Sequence, residues 1–142
     1  MDELSFDGRP AGGCPTLVAA AVLSRDGEVL ISQRRQGKPG AGFWEFPGGR
    51  LEPTKCPEEA VYRELKEELG VIVGSARPVT FATDSHARIV LLLFLCEVWE
   101  GEPTGREGQS IIWVPLHELE QQEMLGLDEE LISPLRAALT RS

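Results

Sequence analysis

The chain has 142 residues, 42% of them apolar, which is enough for one globular domain and too few for two ordinary ones. Twenty-three acidic residues against fourteen basic ones give a formal net charge of −9, which disfavours a nucleic-acid duplex or an anionic membrane as a partner. A small phosphate-bearing molecule remains compatible with this charge, because a divalent cation can join carboxylates to phosphate.

The first part of the chain predicts a loose leader followed by short strands. Residues 1–14 are rich in Gly, Asp and Pro and lack the apolar segment of a signal peptide, so we expect the domain to span residues 15–142. The next predicted elements are a buried strand at Leu17–Leu23, a turn at Arg25–Glu28, a returning strand at Val29–Gln33, a loop at Gln36–Gly42 and a short aromatic stretch at Phe43–Phe46, ended by Pro47-Gly48-Gly49.

The rest of the chain predicts two helices and two further strands. Pro57–Leu69 is a predicted helix, with Pro at its first position and Gly70 just after its end. The later elements are a strand at Ile89–Trp99 that is buried on both faces at its centre, a loop at Gly101–Gly108, a strand at Ile111–Val114 and a terminal helix at Leu131–Leu139. The order β, β, α, β, β, α indicates an α/β domain with a mixed sheet.

Two features of the sequence indicate a cytoplasmic protein. The longest apolar run, Ile89–Cys96, has eight residues, far fewer than the roughly 20 that cross a bilayer as a helix. The three cysteines, Cys14, Cys56 and Cys96, are odd in number and lack CxxC spacing. We therefore predict reduced thiols rather than a disulfide framework or a zinc site.

The predicted helix carries three neighbouring carboxylates beside its core-facing stripe. At about 100° per residue, that stripe contains Val61, Tyr62, Leu65 and Leu69. Glu64 is three residues from Glu67 and four from Glu68, so the three like charges repel one another, and Glu68 falls at the rim of the buried face. One interpretation is a solvated helix face; the other is a site for Mg²⁺ or Mn²⁺, which prefer carboxylate oxygens. The glycines of Pro47-Gly48-Gly49 allow a ligand to approach the backbone closely.

The stretch from Gly49 to Val71 resembles the Nudix box, a pattern with nine specified positions. Eight positions match, namely Gly49, Arg63, Glu64, Leu65, Glu67, Glu68, Gly70 and Val71, and the ninth holds Lys55 where the family has Glu. Flanking segments resemble the MutT-type branch, namely Gln33-Arg34-Arg35, Trp44 to Gly49, Trp99 to Pro103, Arg106 to Gln109 and Trp113-Val114. The resemblance implies the Nudix fold, an α/β/α sandwich with a mixed β-sheet.

The same resemblance implies an activity. Enzymes of the MutT type are Mg²⁺-dependent pyrophosphohydrolases, which convert a nucleoside triphosphate and water to a nucleoside monophosphate and pyrophosphate. Oxidised guanine nucleotides such as 8-oxo-dGTP are the best-known substrates, so a role in nucleotide-pool sanitation and DNA repair is implied. Mn²⁺ is a possible substitute for Mg²⁺, the partner is a small nucleotide, and the assembly is a monomer or a homodimer.

The family's functional residues can be carried over by position. The implied metal ligands are Glu64, Glu67, Glu68 and Glu107, with the carbonyl of Gly48 or Gly49 completing the shell. Arg63 would orient the acids, and either Glu64 or Glu107 would act as general base. The implied nucleotide-binding residues are Arg34, Phe46 and Asp128, with Phe46 near the base and Asp128 bonded to a purine. Their simpler alternatives are a surface cation, a core residue and a cap of the terminal helix, respectively.

Two other functions stay open from the sequence. The first is a nucleotide-binding module with the Nudix fold in which catalysis is weak or lost. The second is a Nudix hydrolase for another nucleoside diphosphate derivative, such as a pyrimidine triphosphate or a nucleotide sugar. The MutT-like flanking segments favour triphosphates over nucleotide sugars.

Two adjacent departures from the family pattern precede the helix. Lys55 would face Arg63 as a repulsive pair, reach into the carboxylate cluster as a counter-ion, or leave Glu52 to take over the missing acid's role. Cys56 occupies the predicted N-cap, where losing a Ser or Thr cap costs about 1 kcal/mol. We expect activity that is reduced relative to a complete box and that Lys55→Glu increases.

Overall fold

The computed structural model describes residues 15–53 and 55–140, so the predicted leader at 1–14 lies outside the described residues, as does Cys14. The strands are β1 (Thr16–Arg25), β2 (Glu28–Gln33), β3 (Trp44–Glu45), β4 (Gly48–Arg50), β5 (Ile72–Asp84), β6 (Ile89–Glu100) and β7 (Ile111–Pro115). The helices are α1 (Pro57–Leu69), α2 (Gly126–Glu129) and α3 (Ile132–Thr140), with a 3₁₀ helix at Leu116–Gln121.

The first strand is the centre of the sheet. It runs parallel to β6, with Thr16 opposite Ile89 and Leu23 opposite Cys96. On its other edge β1 pairs antiparallel with β4 and, at its far end, with β2. The second strand pairs antiparallel with β3 and β7, and β5 pairs antiparallel with β6. One parallel pair among antiparallel ones confirms the predicted mixed sheet.

Alternate side chains of β1 enter two separate hydrophobic cores, as the two-residue period of a strand requires. Ala19, Ala21 and Leu23 pack on the side that holds Val61, Leu65 and Leu69 of α1. Ala20 and Val22 point the other way, toward the core that holds Ile132 and Leu135 of α3. The sheet is therefore covered by a helix on each face, which confirms the α/β/α sandwich and explains why the central strands are apolar throughout.

The first helix begins and ends where the sequence predicts. Cys56 is its N-cap, and the Glu59 carboxylate accepts a hydrogen bond of 3.1 Å from the Cys56 backbone N–H. Gly70 ends the helix in the left-handed conformation, with φ of 75°. The prediction that Tyr62 faces the core is wrong: its side chain is 40% exposed, and Ala60 is buried instead. None of the described helices is long and apolar enough to cross a membrane.

The largest element that the sequence did not predict is β5. It is the edge strand of its sheet, and most of its side chains are exposed. Its pairing with β6 shifts register three times, between Val73 and Ser75, between Ser75 and Arg77, and across Pro78. An exposed edge strand interrupted by bulges and a proline loses the apolar alternation by which strands are recognised.

Candidate active site

A cleft of about 260 Å³ opens beside β1, β2 and β4. Seven residues that the family resemblance singles out line it: Arg34, Phe46, Gly48, Gly49, Glu68, Glu107 and Asp128. They come from five different parts of the chain, so only the fold brings them together. Arg63, Glu64 and Glu67 stand on α1 and are not among the lining residues.

The two glycines of β4 are required for different reasons. A Cβ on Gly48 would lie 2.2 Å from the carbonyl oxygen of Ala19, so that glycine permits β4 to pair with β1. A Cβ on Gly49 would lie 2.4 Å from the Cδ of Glu64, so this glycine makes room for the Glu64 carboxylate. The sequence suggested that a ligand approaches the backbone closely at both positions. The structure shows β1 against Gly48 and the Glu64 carboxylate against Gly49.

Glu64 and Glu68 form a close pair at the edge of the cleft. The Glu64 side chain is 17% exposed, and its carboxyl lies within hydrogen-bonding reach of Glu68. Burial raises the pKa of Glu68, and the neighbouring carboxylates of Glu64 and Glu107 raise it further. This confirms that Glu68 sits at the rim of the buried face. A cation between these groups would relieve the repulsion that, together with burial, raises the pKa of Glu68.

The donor set is chemically suited to a hard divalent cation, since carboxylate and carbonyl oxygens are the ligands that Mg²⁺ and Mn²⁺ prefer. Glu68, Glu107 and the backbone of Gly49 border one cleft, with the Glu64 carboxylate against Gly49. Glu67 is exposed. Among residues 15–53 and 55–140, no three carboxylate, imidazole or thiol groups lie in an arrangement that could already hold a metal ion.

Arg63 lies between two carboxylates. Its guanidinium donates a hydrogen bond of 2.9 Å to Glu64 and forms an ion pair of 3.3 Å with Glu52. Lys55 is exposed and makes no ion pair with any described residue; its charge acts on Glu59, whose pKa is lowered first by the Cys56 N–H and then by Lys55. Among the described residues Lys55 forms no ion pair with the carboxylate cluster, and it is Glu52 that pairs with Arg63.

The loop before β7 is fastened to the C-terminal end of α1, which positions Glu107. The Arg106 N–H donates to the carbonyl of Glu68 at 3.0 Å. The Gln109 side chain donates to the same carbonyl at 3.1 Å and accepts from the Glu107 N–H at 2.9 Å. Gln109 also lines the cleft. The sequence gave Gln109 no role, although it stands inside the family-like segment Arg106 to Gln109.

Asp128 is a further residue that lines the cleft. It is 7% exposed and accepts a hydrogen bond of 2.8 Å from the Phe46 N–H. Burial raises the pKa of Asp128 to about 7, although the Phe46 N–H works against the shift. The alternative that Asp128 caps the terminal helix is wrong: Asp128 lies within α2, and its carboxylate accepts a hydrogen bond from the backbone of Phe46, the residue after β3. Phe46 itself is 3% exposed and belongs both to the core and to the cleft wall.

Three cations from the loop after β2 line the same cleft: Arg34, Arg35 and Lys38. Arg34 is held by an ion pair of 3.3 Å to Glu45 and a hydrogen bond of 3.0 Å to the Pro39 carbonyl. Burial raises the pKa of Glu45, and Arg34 opposes that shift. Arg34 is therefore more than a surface cation. Glu45 is a cleft residue that the sequence did not single out.

Comparison with known proteins agrees with this geometry. The sequence model of the protein family described as NUDIX domain matches residues 15–135 of this chain. The chain is 36% identical over 121 residues to the 8-oxo-dGTP diphosphatase of Haemophilus influenzae, covering 83% of this chain and 89% of that protein. It is 31% identical over 122 residues to the CTP pyrophosphohydrolase of Escherichia coli K12, covering 84% and 90%.

Among solved structures, the fold matches that of the MutT NUDIX hydrolase from Burkholderia pseudomallei. The TM-score is 0.78 at 25% identity, and the match covers 87% of this chain and 99% of that one. The domain match, the similarity in sequence and the shared fold extend over nearly the whole described chain. The chain therefore belongs to the Nudix hydrolase family, and it is a nucleotide pyrophosphohydrolase that acts on phosphoric anhydride bonds.

Proposed function

We propose that the protein is a Mg²⁺-dependent pyrophosphohydrolase of nucleoside triphosphates, with 8-oxo-dGTP as its leading substrate. The observation that carries the proposal is the cleft itself, which is lined both by the acids Glu68 and Glu107 and by the buried Asp128. Cations of the loop after β2 line the same cleft. A nucleotide carries groups that match this lining, a polyphosphate and a hydrogen-bonding base.

Four glutamates are the proposed metal ligands: Glu64, Glu67, Glu68 and Glu107, with a carbonyl of Gly48 or Gly49. When bound there, Mg²⁺ neutralises the polyphosphate and makes a water molecule more acidic. This resolves the apparent conflict between a formal net charge of −9 and an anionic substrate. Mn²⁺ has the same ligand preference and is the proposed substitute.

The chain's own side chains supply the remaining chemistry. Arg63 holds the Glu64 carboxylate through a charged hydrogen bond, and either Glu64 or Glu107 accepts the proton of the attacking water. Water attacks a phosphorus atom of the triphosphate, the bridging P–O bond at that phosphorus breaks, and the nucleoside monophosphate and pyrophosphate are released. Contact with the phosphate oxygens is assigned to Arg34, Arg35 and Lys38, which line the cleft and whose charged groups form strong ionic hydrogen bonds with phosphate.

Base recognition is assigned to Asp128 and Phe46. Asp128 is buried at the cleft, and one of its oxygens is already fixed by the Phe46 N–H. A carboxyl held in this way can bond to a polar edge of a purine. A base that leaves this buried group unpaired is disfavoured by about 1–3 kcal/mol, the cost of an unsatisfied polar group.

A second candidate substrate is a pyrimidine triphosphate, because one relative is a CTP pyrophosphohydrolase at 31% identity. The same metal and phosphate groups would serve it, and the difference would lie at Asp128 and Phe46. Other nucleoside diphosphate derivatives, and a nucleotide-binding module without catalysis, are the remaining alternatives.

The test is a substrate panel with Mg²⁺ that contains 8-oxo-dGTP, dGTP, CTP and a nucleotide sugar, with pyrophosphate and phosphate measured separately. We expect pyrophosphate release, fastest from 8-oxo-dGTP. Faster turnover of CTP would establish the pyrimidine alternative. Absence of turnover on every triphosphate, at neutral and alkaline pH, would overturn the proposal in favour of the binding module.

A further inference from the structure

The turn before α1 carries a charge arrangement of its own. Where the family has an acid, this chain has Lys55, and an acid three residues earlier, Glu52, pairs with Arg63 at 3.3 Å. The Lys55 backbone N–H donates to the Glu52 carbonyl at 3.1 Å, so Lys55 and Glu52 stand in the same turn. Lys55 itself is exposed, and among the described residues it pairs with no carboxylate.

Arg63 links this turn to the catalytic carboxylates. One of its terminal nitrogens faces Glu52, while the other donates to Glu64 at 2.9 Å and approaches the Arg50 carbonyl at 3.5 Å. Glu64 is in turn wedged against Gly49. The orientation of the Glu64 carboxylate therefore depends on where the Arg63 guanidinium is held, and Glu52 is the anion that holds its outer side.

We propose that Glu52 is a positioning residue that replaces the acid missing at Lys55: it anchors Arg63, and Arg63 orients Glu64. This inference rests on the proposed function of the site. Glu52 does not line the cleft, so it acts on turnover through Arg63 and not by contact with the nucleotide. The sequence led to the expectation that Lys55→Glu increases activity. With Glu52 as its partner, Arg63 already has an acid beside it, so we now expect Lys55→Glu alone to change turnover little.

The expected effects follow from the exposure of the pair. Glu52 and Arg63 are 58% and 34% exposed, and an ion pair this exposed corresponds to a change of at most about fivefold. We expect Glu52→Gln to lower kcat by about three- to fivefold while KM for the nucleotide stays the same. Lys55→Glu restores kcat in the Glu52→Gln background, and in the wild type it changes kcat by less than about twofold.

The matched control is Glu97→Gln, which removes a carboxylate paired with Arg77 at 3.7 Å and 49% exposed. That pair joins β5 and β6, and neither of its residues lines the cleft. We expect Glu97→Gln to keep wild-type kcat and KM. Equal kcat in Glu52→Gln and in the control would overturn the proposal, and so would failure of Lys55→Glu to restore the Glu52→Gln enzyme.

A second measurement separates this proposal from the function on which it rests. Mn²⁺ binding is titrated calorimetrically without nucleotide, in the wild type, Glu52→Gln and the Glu52→Gln/Lys55→Glu double variant. We expect Glu52→Gln to weaken binding by about threefold and the double variant to recover it. Absence of turnover on every triphosphate would refute the proposed function, but the ratio of the Mn²⁺ affinities of the wild type and Glu52→Gln would still decide the role of Glu52. Equal affinities, or no Mn²⁺ binding by the wild type, would overturn the positioning role.

Discussion

Asp128 is a buried carboxyl whose titration should make the stability of the fold depend on pH near neutrality. Its pKa is raised from 3.8 to about 7, first because burial disfavours the charged form and also because Glu45 is close, while the Phe46 N–H and Arg34 act in the opposite direction. Asp128→Asn is the perturbation that isolates this group. The amide oxygen can still accept the Phe46 N–H, but the side chain no longer titrates.

The magnitude follows from the two pKa values. Below pH 3.8 the carboxyl is protonated in both the folded and the unfolded chain, so it carries no ionisation penalty. Between 3.8 and about 7 the unfolded chain is ionised while the folded one keeps its proton, so the free energy of unfolding decreases as the pH rises. The full loss is about 4 kcal/mol, at about 1.4 kcal/mol per pKa unit. About 3 kcal/mol of it falls between pH 5 and pH 8.

The assay is urea unfolding of the wild type and Asp128→Asn at several pH values from 5 to 8. We expect the stability of the wild type relative to the variant to fall by about 3 kcal/mol over this range. Glu129→Gln, which alters an exposed acid of the same short helix, is the control and should track the wild type. Parallel curves for the wild type and Asp128→Asn would refute the assignment of a raised pKa to this buried group.

Three further substitutions test the packing around the site. Gly49→Ala places a Cβ 2.4 Å from the Cδ of Glu64, so it should cost about 1–3 kcal/mol of stability and most of the turnover. Wild-type turnover would contradict the close contact between Gly49 and the Glu64 carboxylate. Gln109→Ala removes two hydrogen bonds of the Glu107 loop and should cost about 1–2 kcal/mol in urea unfolding, with lower kcat; unchanged kcat would mean the loop needs no fastening. Leu65→Ala, at a fully buried position, should cost about 2–5 kcal/mol, and a smaller loss would indicate that α1 repacks.

The sequence predicted the elements whose local chemistry and burial agree. Pro57 and Gly70 mark the two ends of α1, and the all-apolar centres of β1 and β6 reflect burial on both faces. Glu68 was placed correctly at the rim because helical geometry alone fixes its angle from Val61. Such features depend on residues close together in the chain, and a single sequence contains them.

The features that it did not predict depend on contacts between distant segments. The exposed edge strand β5 has no apolar alternation, and its place is set by pairing with β6. The role of Gln109 arises only when the loop docks on the end of α1. Glu52 was one of several alternatives, and the fold selects it by bringing the turn within 3.3 Å of Arg63. Asp128 resembled a helix cap because its contact with Phe46 spans 82 positions of the chain.

The most direct test of the central claim is the identity of the phosphorus products formed from 8-oxo-dGTP and Mg²⁺, followed by ³¹P NMR. The wild type should release pyrophosphate and the nucleoside monophosphate, stop when EDTA is added and resume with excess Mg²⁺. Glu68→Gln should release neither, because it removes a carboxylate from the proposed metal site. Release of orthophosphate with a nucleoside diphosphate, turnover in EDTA, or wild-type turnover by Glu68→Gln would contradict the account.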